Sequence, residues 1–190
     1  MSGVIAQDVV DQTITNSATE TNVFVGTVPS GEWPLREVAI EQTCSYNVAN
    51  TVGRNYTVRV YVGSTAGAGG TQVMQLQSPN ASKDSTDHGG FQRASLLALS
   101  SSTLLVHFWS GFGGPSSGAG GFGAAATAGA FGINKVTGLS LSGAVEIRLT
   151  VQLSSTGVGH TFISKGCWAV LLDEADTAAS GFASIVVAGI

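Results

Sequence analysis

Two sequence patterns that occur in dinucleotide-binding sites and in the active sites of hydrolases lie in a glycine-rich stretch of the sequence. Gly118, Gly120 and Gly123 fit the pattern G-x-G-x-x-G of dinucleotide-binding sites. Such a site needs a helix whose N-terminus faces the pyrophosphate, and an alanine- and glycine-rich segment follows here instead. The stretch Gly114 to Gly118 spells G-x-S-x-G, but Pro115 fixes the backbone and no helical segment follows the serine. We therefore expect no cofactor and no catalytic residue, and we predict that the protein is not an enzyme.

Histidines and a short acidic run are the other groups that could do acid–base or metal chemistry. We expect His107, in L-L-V-H-F-W, on the less buried face of a strand and His160 in a turn, and neither has an acidic neighbour in sequence that would complete a triad. Asp84 to His88 groups oxygen and nitrogen ligands within Ser78 to Gly90, which we predict to be a polar surface loop. The run lacks the spacing and the bidentate glutamate of an EF-hand. An exposed loop explains the same residues, so we predict no metal site.

The two cysteines, Cys44 and Cys167, are far apart in the sequence and belong to no C-x-x-C motif. Their spacing indicates neither a zinc ribbon nor a redox site, so we predict two buried thiols. A disulfide between them is the alternative, and it would require an oxidising compartment and a suitable distance between the two Cα atoms.

Three tryptophans offer aromatic surfaces on which sugar rings could stack: Trp33, Trp109 and Trp168. All three fall at the ends of predicted strands, where packing in the core or at an interface is the ordinary role of a tryptophan. Trp33 and Trp109 are the residues that we name as possible glycan contacts.

The composition excludes several classes of partner. Only 11% of the 190 residues are charged, against roughly 25% in an average soluble domain. The net charge of −4 and the scattered Lys and Arg residues argue against nucleic-acid binding. No run of 18 apolar residues is present, which argues against a membrane span. Apolar surface in so uncharged a chain is best buried between subunits, so we predict a homo-oligomer.

Alternating strands dominate the pattern of the chain. Asn55 to Gly63 and Val145 to Leu153 alternate most regularly, with apolar side chains on one face and with Arg59 and Arg148 on the other. The remaining predicted strands are Thr21 to Val28, Leu35 to Cys44, Thr71 to Gln77, Phe91 to Leu99, Leu104 to Trp109, Thr161 to Ser164 and Cys167 to Leu172. Short strands with turn signals between them and no helical stripe predict an all-β fold, an antiparallel β-sandwich of the jelly-roll type.

The segments outside the regular strands predict arms and an interface. We divide the chain into an N-terminal arm (1–18), a sandwich domain (19–173) and an apolar C-terminal arm (174–190), and we expect a neighbouring chain to hold the arms. Gly111 to Gly132 carries three phenylalanines, so we interpret it as an ordered loop that packs on the sheet or on another subunit. The predicted interface residues are Arg59, Arg148, Phe112, Phe122, Phe131, Phe182, Ile185, Val186 and Val187.

The order of these motifs resembles that of jelly-roll structural proteins of tailed bacteriophages. The residues that carry the resemblance are Glu20-Thr21 before a strand, Val28-Pro29 after it, Tyr46, Asn47 and Gly53, and the strand T-V-R-V-Y-V-G-S-T from Thr57 to Thr65. The later strands follow in a similar order, so the resemblance covers most of residues 19 to 172. The chain departs from that pattern in its glycine- and alanine-rich insertion and in its apolar C-terminal arm.

The resemblance implies a scaffold role without catalytic residues. It implies a virion structural protein, of the capsid decoration or cement type, that is assembled in the host cytoplasm. Its expected partners are two further copies of the chain, in a homotrimer, and the major capsid protein or other virion proteins. Neither nucleic acid nor a membrane is an expected partner. The alternative that it leaves open is a protein of the tail or fibre that binds a receptor or glycan.

Overall fold

The computed structural model of the chain describes residues 3–48, 54–64, 70–78, 84–113, 127–156 and 159–172. Within these residues the secondary structure consists of eleven β-strands, and every pairing between them is antiparallel. The strands are β1 (Gly3–Asp8), β2 (Gln12–Thr15), β3 (Thr21–Val28), β4 (Glu37–Val48), β5 (Tyr56–Ser64), β6 (Thr71–Gln77), β7 (Asp84–Ser100), β8 (Thr103–Gly113), β9 (Thr127–Thr137), β10 (Val145–Leu153) and β11 (His160–Leu172).

The order of the strands is that of a jelly roll. The larger, seven-stranded sheet runs β1-β11-β4-β7-β8-β9, with β2 beside β1 along the same edge of β11, and the smaller sheet runs β3-β10-β5-β6. The chain pairs as one long hairpin folded over itself: β1 and β2 with β11, β3 with β10, β4 with β7, and β5 with β6. The hairpin of β8 and β9, inserted between β7 and β10, widens the larger sheet. The predicted jelly-roll sandwich is confirmed.

The core lies between the inner faces of the two sheets. The alternating side chains of β5 and β10 are buried on one face, as predicted, and Val58, Val60 and Ile147 are completely buried. Burial of one such aliphatic side chain contributes about 1.5–3 kcal/mol to folding. Three predicted strands, Thr21 to Val28, Thr71 to Gln77 and Val145 to Leu153, have the predicted ends.

One strand is longer than predicted, and part of a predicted loop is strand. β4 continues past Cys44 to Val48, and β7 already begins at Asp84, inside the predicted loop Ser78 to Gly90. The two extensions pair with each other, Tyr46 opposite His88 and Ser45 opposite Gly89. Pairing with a neighbouring strand thus overrides a local sequence that is polar and rich in turn residues.

The insertion and the last strand also differ from the prediction. β9 begins at Thr127, inside Gly111 to Gly132, where we expected an ordered loop, and residues 114–126 lie outside the described part. Thr161 to Ser164 and Cys167 to Leu172 are parts of the single strand β11, which has a register shift between Ser164 and Gly166. Such a bulge adds a residue without ending the strand.

The N-terminal segment is extended, as predicted for an arm. Its partner, however, is β11 of the same chain, since β1 pairs with residues 167–171 and β2 with residues 161–164. The predicted C-terminal arm, residues 174–190, lies outside the described residues. The part of the chain that the structure describes contains no helix long and apolar enough to cross a membrane.

Candidate functional site

A single row of large side chains crosses the outer face of the larger sheet. The register places Trp168, Glu41, Arg93, Trp109 and Phe131 directly opposite one another on β11, β4, β7, β8 and β9. We call these five residues the aromatic row. Because strands in a sheet lie about 4.8 Å apart, the four steps between Trp168 and Phe131 cover roughly 19 Å. The row therefore runs perpendicular to the strands.

Aromatic rings occupy both ends of the row. Trp109 is 42% exposed and Phe131 is 67% exposed, while Trp168 is half-buried. Phe91 lies on β7 two residues before Arg93 and on the same face of the sheet. Its ring packs against Trp109, with the ring centroids 5.2 Å apart and the planes at 57°. Ile133, the next outward residue on β9, is 55% exposed. The rings of Phe91, Trp109 and Phe131, together with Ile133, form an exposed apolar surface that ends at the edge strand β9.

The middle of the aromatic row is an ion pair. Arg93 Nη1 lies 3.4 Å from Glu41 Oε1, and both side chains are about three-quarters covered, with exposed fractions of 23% and 22%. Each charge is neutralised by the other, so the row as a whole carries no net charge.

A buried polar cluster lies in the adjacent row of the same outer face. Ser95 Oγ donates to Glu37 Oε1 at 2.7 Å, and His107 lies opposite Ser95 on the next strand. His107 lies on the outer, less buried face of β8, as predicted, but neighbouring groups cover its side chain to 5% exposure. Burial lowers the pKa of His107, against an opposing effect of Glu37. In a catalytic triad the histidine stands between serine and acid, whereas here the serine donates directly to the acid.

The predicted arginines lie on the outer face of the smaller sheet and are partnered within the chain. Arg59 contacts Glu20 at 3.3 Å, Gln75 at 2.9 Å and Gln152 at 2.9 Å. Its side chain is 16% exposed. These three partners occupy most of the donors of a guanidinium group.

Arg148 has a similar environment on the neighbouring strand. Its Nε lies 2.9 Å from Glu146 Oε1, and its guanidinium carbon lies 5.8 Å from the centroid of the Tyr61 ring, within the range of a cation–π interaction. Both arginines point outward, as predicted, and the predicted contact of Arg59 and Arg148 with another subunit stays a prediction.

One end of the sandwich interior contains a buried tyrosine–histidine pair. Tyr46 Oη lies 2.6 Å from His160 Nε2, and His160 Nδ1 lies 3.1 Å from the carbonyl oxygen of Ser155. Since a carbonyl only accepts, Nδ1 carries the proton and Tyr46 donates to Nε2. His160, expected in a turn, begins β11 and is 1% exposed, and burial lowers its pKa.

Both cysteines are free and buried, as predicted. Burial raises the pKa of Cys44 to about 11, and burial likewise raises the pKa of Cys167 far above that of an exposed thiol. The Sγ atom of Cys44 lies 3.5 Å from Tyr56 Oη, to which Gln92 Nε2 also donates at 3.1 Å. These thiols therefore belong to the core and stay protonated near neutral pH.

The structure separates the predicted site residues. Trp33 is completely buried, with its Nε1 donating to the Leu96 carbonyl at 3.4 Å, so the suggestion that it contacts a glycan was wrong: it has no exposed ring face. Trp109 and Phe131 are exposed in the aromatic row. The other predicted apolar interface side chains lie outside the described part of the structure: Phe112, Phe122, Phe182, Ile185, Val186 and Val187.

The metal candidate can be placed only in part. Asp84 to His88 form the start of β7, and their side chains lie outside the described part. Among the residues that are described, no group of three or more His, Cys, Asp or Glu side chains could hold a metal ion.

Sequence reasoning considered the three aromatic residues of the row but missed Glu41, Arg93 and the alignment of all five. The inward positions of Cys167 and Ala169 place Trp168 outward, a signal that the alternation of the chain contains. That Trp168 lies in line with Trp109 depends on the register of four strands, which alternation within single strands does not report.

No protein-family model matches the sequence, and no curated protein does either. Solved structures with a similar arrangement include infectious bursal disease virus, Gx strain, at 12% identity and a TM-score of 0.37, covering 92% of this chain and 32% of that one. The CBM2 module of the evolved Dit of Lactobacillus casei BL23 phage J-1 matches at 11% identity and a TM-score of 0.36, covering 77% and 67%. Peanut lectin matches at 9% identity and a TM-score of 0.32, covering 90% and 97%. This chain thus spans about a third of the length of the infectious bursal disease virus chain. The jelly-roll assignment above rests on the strand order and not on these matches.

Proposed function

We propose that this protein is a structural component of a bacteriophage virion, a decoration or cement protein that stabilises the head through non-covalent contacts between subunits. The observation that carries the proposal is the apolar end of the larger sheet. On β9, Phe131 and Ile133 are 67% and 55% exposed, and the far side of this strand pairs with no strand among the described residues. An exposed apolar edge strand is a site of association with another chain.

The rest of the molecule supports an architectural role. Its jelly-roll sandwich and its motif order agree with the resemblance to phage structural proteins. Arg59 and Arg148, the outward charges of the smaller sheet, have partners within the chain, so association is driven by apolar burial rather than by charge. The proposed partners are further copies of the chain, as a homotrimer, and the major capsid protein.

We propose that the protein does this without covalent chemistry. The cluster of Glu37, Ser95 and His107 supports this, because its serine donates to the carboxylate instead of to the histidine. The group that accepts from this serine is a carboxylate, which is a weaker base than the imidazole that activates the serine of a triad.

The test is the replacement of Ile133 by lysine. A charge at this exposed position should leave the fold intact and weaken association, because charged residues are depleted in interface cores. We expect the fraction of occupied sites on particles, measured by quantitative mass spectrometry of purified virions, to fall at least severalfold. Val25→Lys is the matched control, since Val25 is 47% exposed on the outer face of the smaller sheet. Equal occupancy for the two variants would count against this surface.

A second candidate function is recognition of a receptor or glycan by a tail or fibre protein. The observation that favours it is the exposure of Trp109, 42%, within a row that also contains hydrogen-bonding groups. Imaging of virions labelled with an antibody against this chain separates the two candidates, since label on the head supports the first and label on the tail supports the second.

A further inference from the structure

We propose that the aromatic row binds an uncharged, linear glycan that lies across the strands of the larger sheet. This inference rests on the second candidate function, recognition of a glycan, and does not depend on the position of the protein in a particle. It adds the residues, the direction of the ligand and its chemical class.

The arrangement of the row fits a long and narrow ligand. Trp168 marks one end, Trp109 and Phe131 mark the other, and the register aligns them across five strands. At about 4.8 Å for each strand, the two tryptophans lie roughly 14 Å apart along the row. A single sugar ring cannot reach both tryptophans, whereas a short oligosaccharide can.

The chemistry of the row matches the two kinds of surface on a sugar. The C–H face of a pyranose ring packs on an aromatic ring, whose face is electron-rich. Its hydroxyl groups both donate and accept, so they can bind a carboxylate and a guanidinium side by side, as Glu41 and Arg93 present them. Rings at the ends and a polar pair between them therefore suit a chain of sugars.

The ion pair also distinguishes a glycan from other partners. A protein interface has few charges at its centre, and here the charged pair lies in the middle of the row. Because Glu41 and Arg93 neutralise each other, the pair does not attract an anionic ligand. The net charge of −4 on the chain repels such a ligand. A polyanionic chain or a nucleic acid therefore fits less well than an uncharged glycan.

Space for the ligand is open beside Trp109. Gly111 is the next outward position on β8, and among the described residues a Cβ atom built there would meet nothing within 4 Å. A ligand that stacks on Trp109 can extend over this glycine. A larger side chain at this position would fill that space without displacing the backbone.

The experiment measures binding of the full chain to defined neutral glycans. Cellohexaose, chitohexaose and maltohexaose are titrated while tryptophan fluorescence and calorimetric heat are recorded, and an array of linear neutral glycans widens the search. We expect at least one hexasaccharide to bind and the matching disaccharide to bind much more weakly, because it cannot span the row. Affinity should change little with salt concentration, because the ligand is uncharged.

Three variants test the residues of the row. Trp109→Ala and Trp168→Ala should each weaken binding about tenfold or more, the loss expected for a stacking ring. Gly111→Gln keeps every ring of the row and should weaken binding by filling the space beside Trp109. The matched control is Val25→Ala on the outer face of the smaller sheet, which should bind as the unmodified chain does.

The contrary outcomes are equally definite. Binding to none of the neutral glycans overturns the proposal, as does binding that is unchanged in Trp109→Ala and Gly111→Gln. If Trp109→Ala converts an oligomer to monomers in analytical ultracentrifugation and no glycan binds, the row is a subunit interface. Row variants that lose glycan binding but keep their occupancy on particles support this proposal independently of the structural function. Row variants that keep glycan binding but lose occupancy refute this proposal and support the structural function.

Discussion

At the scale of single residues, the polar pairs of this jelly roll have different roles inside the sandwich and on its outer face. Inside, Tyr46 and His160 pair with each other, and the serine carbonyl fixes the tautomer of the imidazole. Outside, Glu41 and Arg93 pair at the surface, where both remain partly accessible. Since an unpaired polar group inside costs about 1–3 kcal/mol, the inner pairs stabilise the fold, whereas the outer pair lies where a ligand can reach it.

The buried histidines predict how stability depends on pH. Burial lowers the pKa of His107 and His160 from the ordinary value of 6.5, so the unfolded chain binds a proton more tightly than the folded chain. Their contribution to stability is present above pH 6.5 and is lost as the pH falls from there through the lowered pKa values. The free energy of unfolding in urea should therefore decrease below pH 6.5, by up to about 1.4 kcal/mol per pH unit for each histidine.

Variants assign this dependence to its residues. His160→Asn should remove part of the decrease between pH 6.5 and pH 5, and the double variant His107→Asn with His160→Asn should remove most of it. An unchanged slope in the double variant would mean that other groups cause the acid sensitivity.

At the scale of elements, β5 and β10 could be predicted from the sequence, whereas β9 and the start of β7 could not. In β10 every second side chain from Val145 to Leu153 is apolar and buried, so the pattern contains the information locally. β9 begins in a glycine- and alanine-rich segment without alternation, and it is a strand because it pairs along the whole of β8. Pairing with a neighbouring strand can thus make a strand of a segment that has no periodic signal of its own.

The fit of β9 depends on one glycine. A Cβ atom at Gly132 would lie 2.1 Å from the ring of Phe108, so Gly132→Ala must displace either the ring or the strand. We expect a loss of about 1–3 kcal/mol in the free energy of unfolding, the usual effect of overpacking. Gly111→Ala is the matched control, because nothing lies within 4 Å of that position, and it should be nearly neutral.

The partner side chain provides the cross-check. Phe108→Leu should recover part of the loss when combined with Gly132→Ala, because it removes atoms from the point of contact. Chemical denaturation of the unmodified chain, Gly132→Ala, Gly111→Ala and the double variant Phe108→Leu with Gly132→Ala measures these differences. Equal stabilities of Gly132→Ala and Gly111→Ala would show that β9 adjusts without cost.

At the scale of the whole molecule, the sequence determines one core, and both cysteines of the chain belong to it. That they are buried could be predicted because they lie far apart in the sequence and belong to no C-x-x-C motif. The candidate site could be predicted only as isolated residues such as Trp109, since alignment of its members requires the arrangement of the complete larger sheet.

The two thiols therefore report on the integrity of the sandwich. Burial raises the pKa of Cys44 to about 11, and the thiolate is the reactive form, so both cysteines should react slowly with a maleimide in the native protein. Mass spectrometry should show labelling that accelerates at least a hundredfold in denaturing urea. Rapid labelling of Cys44 or Cys167 under native conditions would contradict the packing described for that side chain.

The pairing of the first strands with the last strand determines when this sandwich can form during synthesis. β1 and β2 find their partner only when β11 has been made, and β3 must likewise wait for β10. Until residue 172 leaves the ribosome, the nascent chain therefore carries unpaired strand edges. Folding is expected to be slow and completed after translation, because most contacts in the described part of the chain join distant segments. Chaperones would then protect the chain during that interval, and a truncation before β11 should yield an aggregating product rather than a smaller folded one.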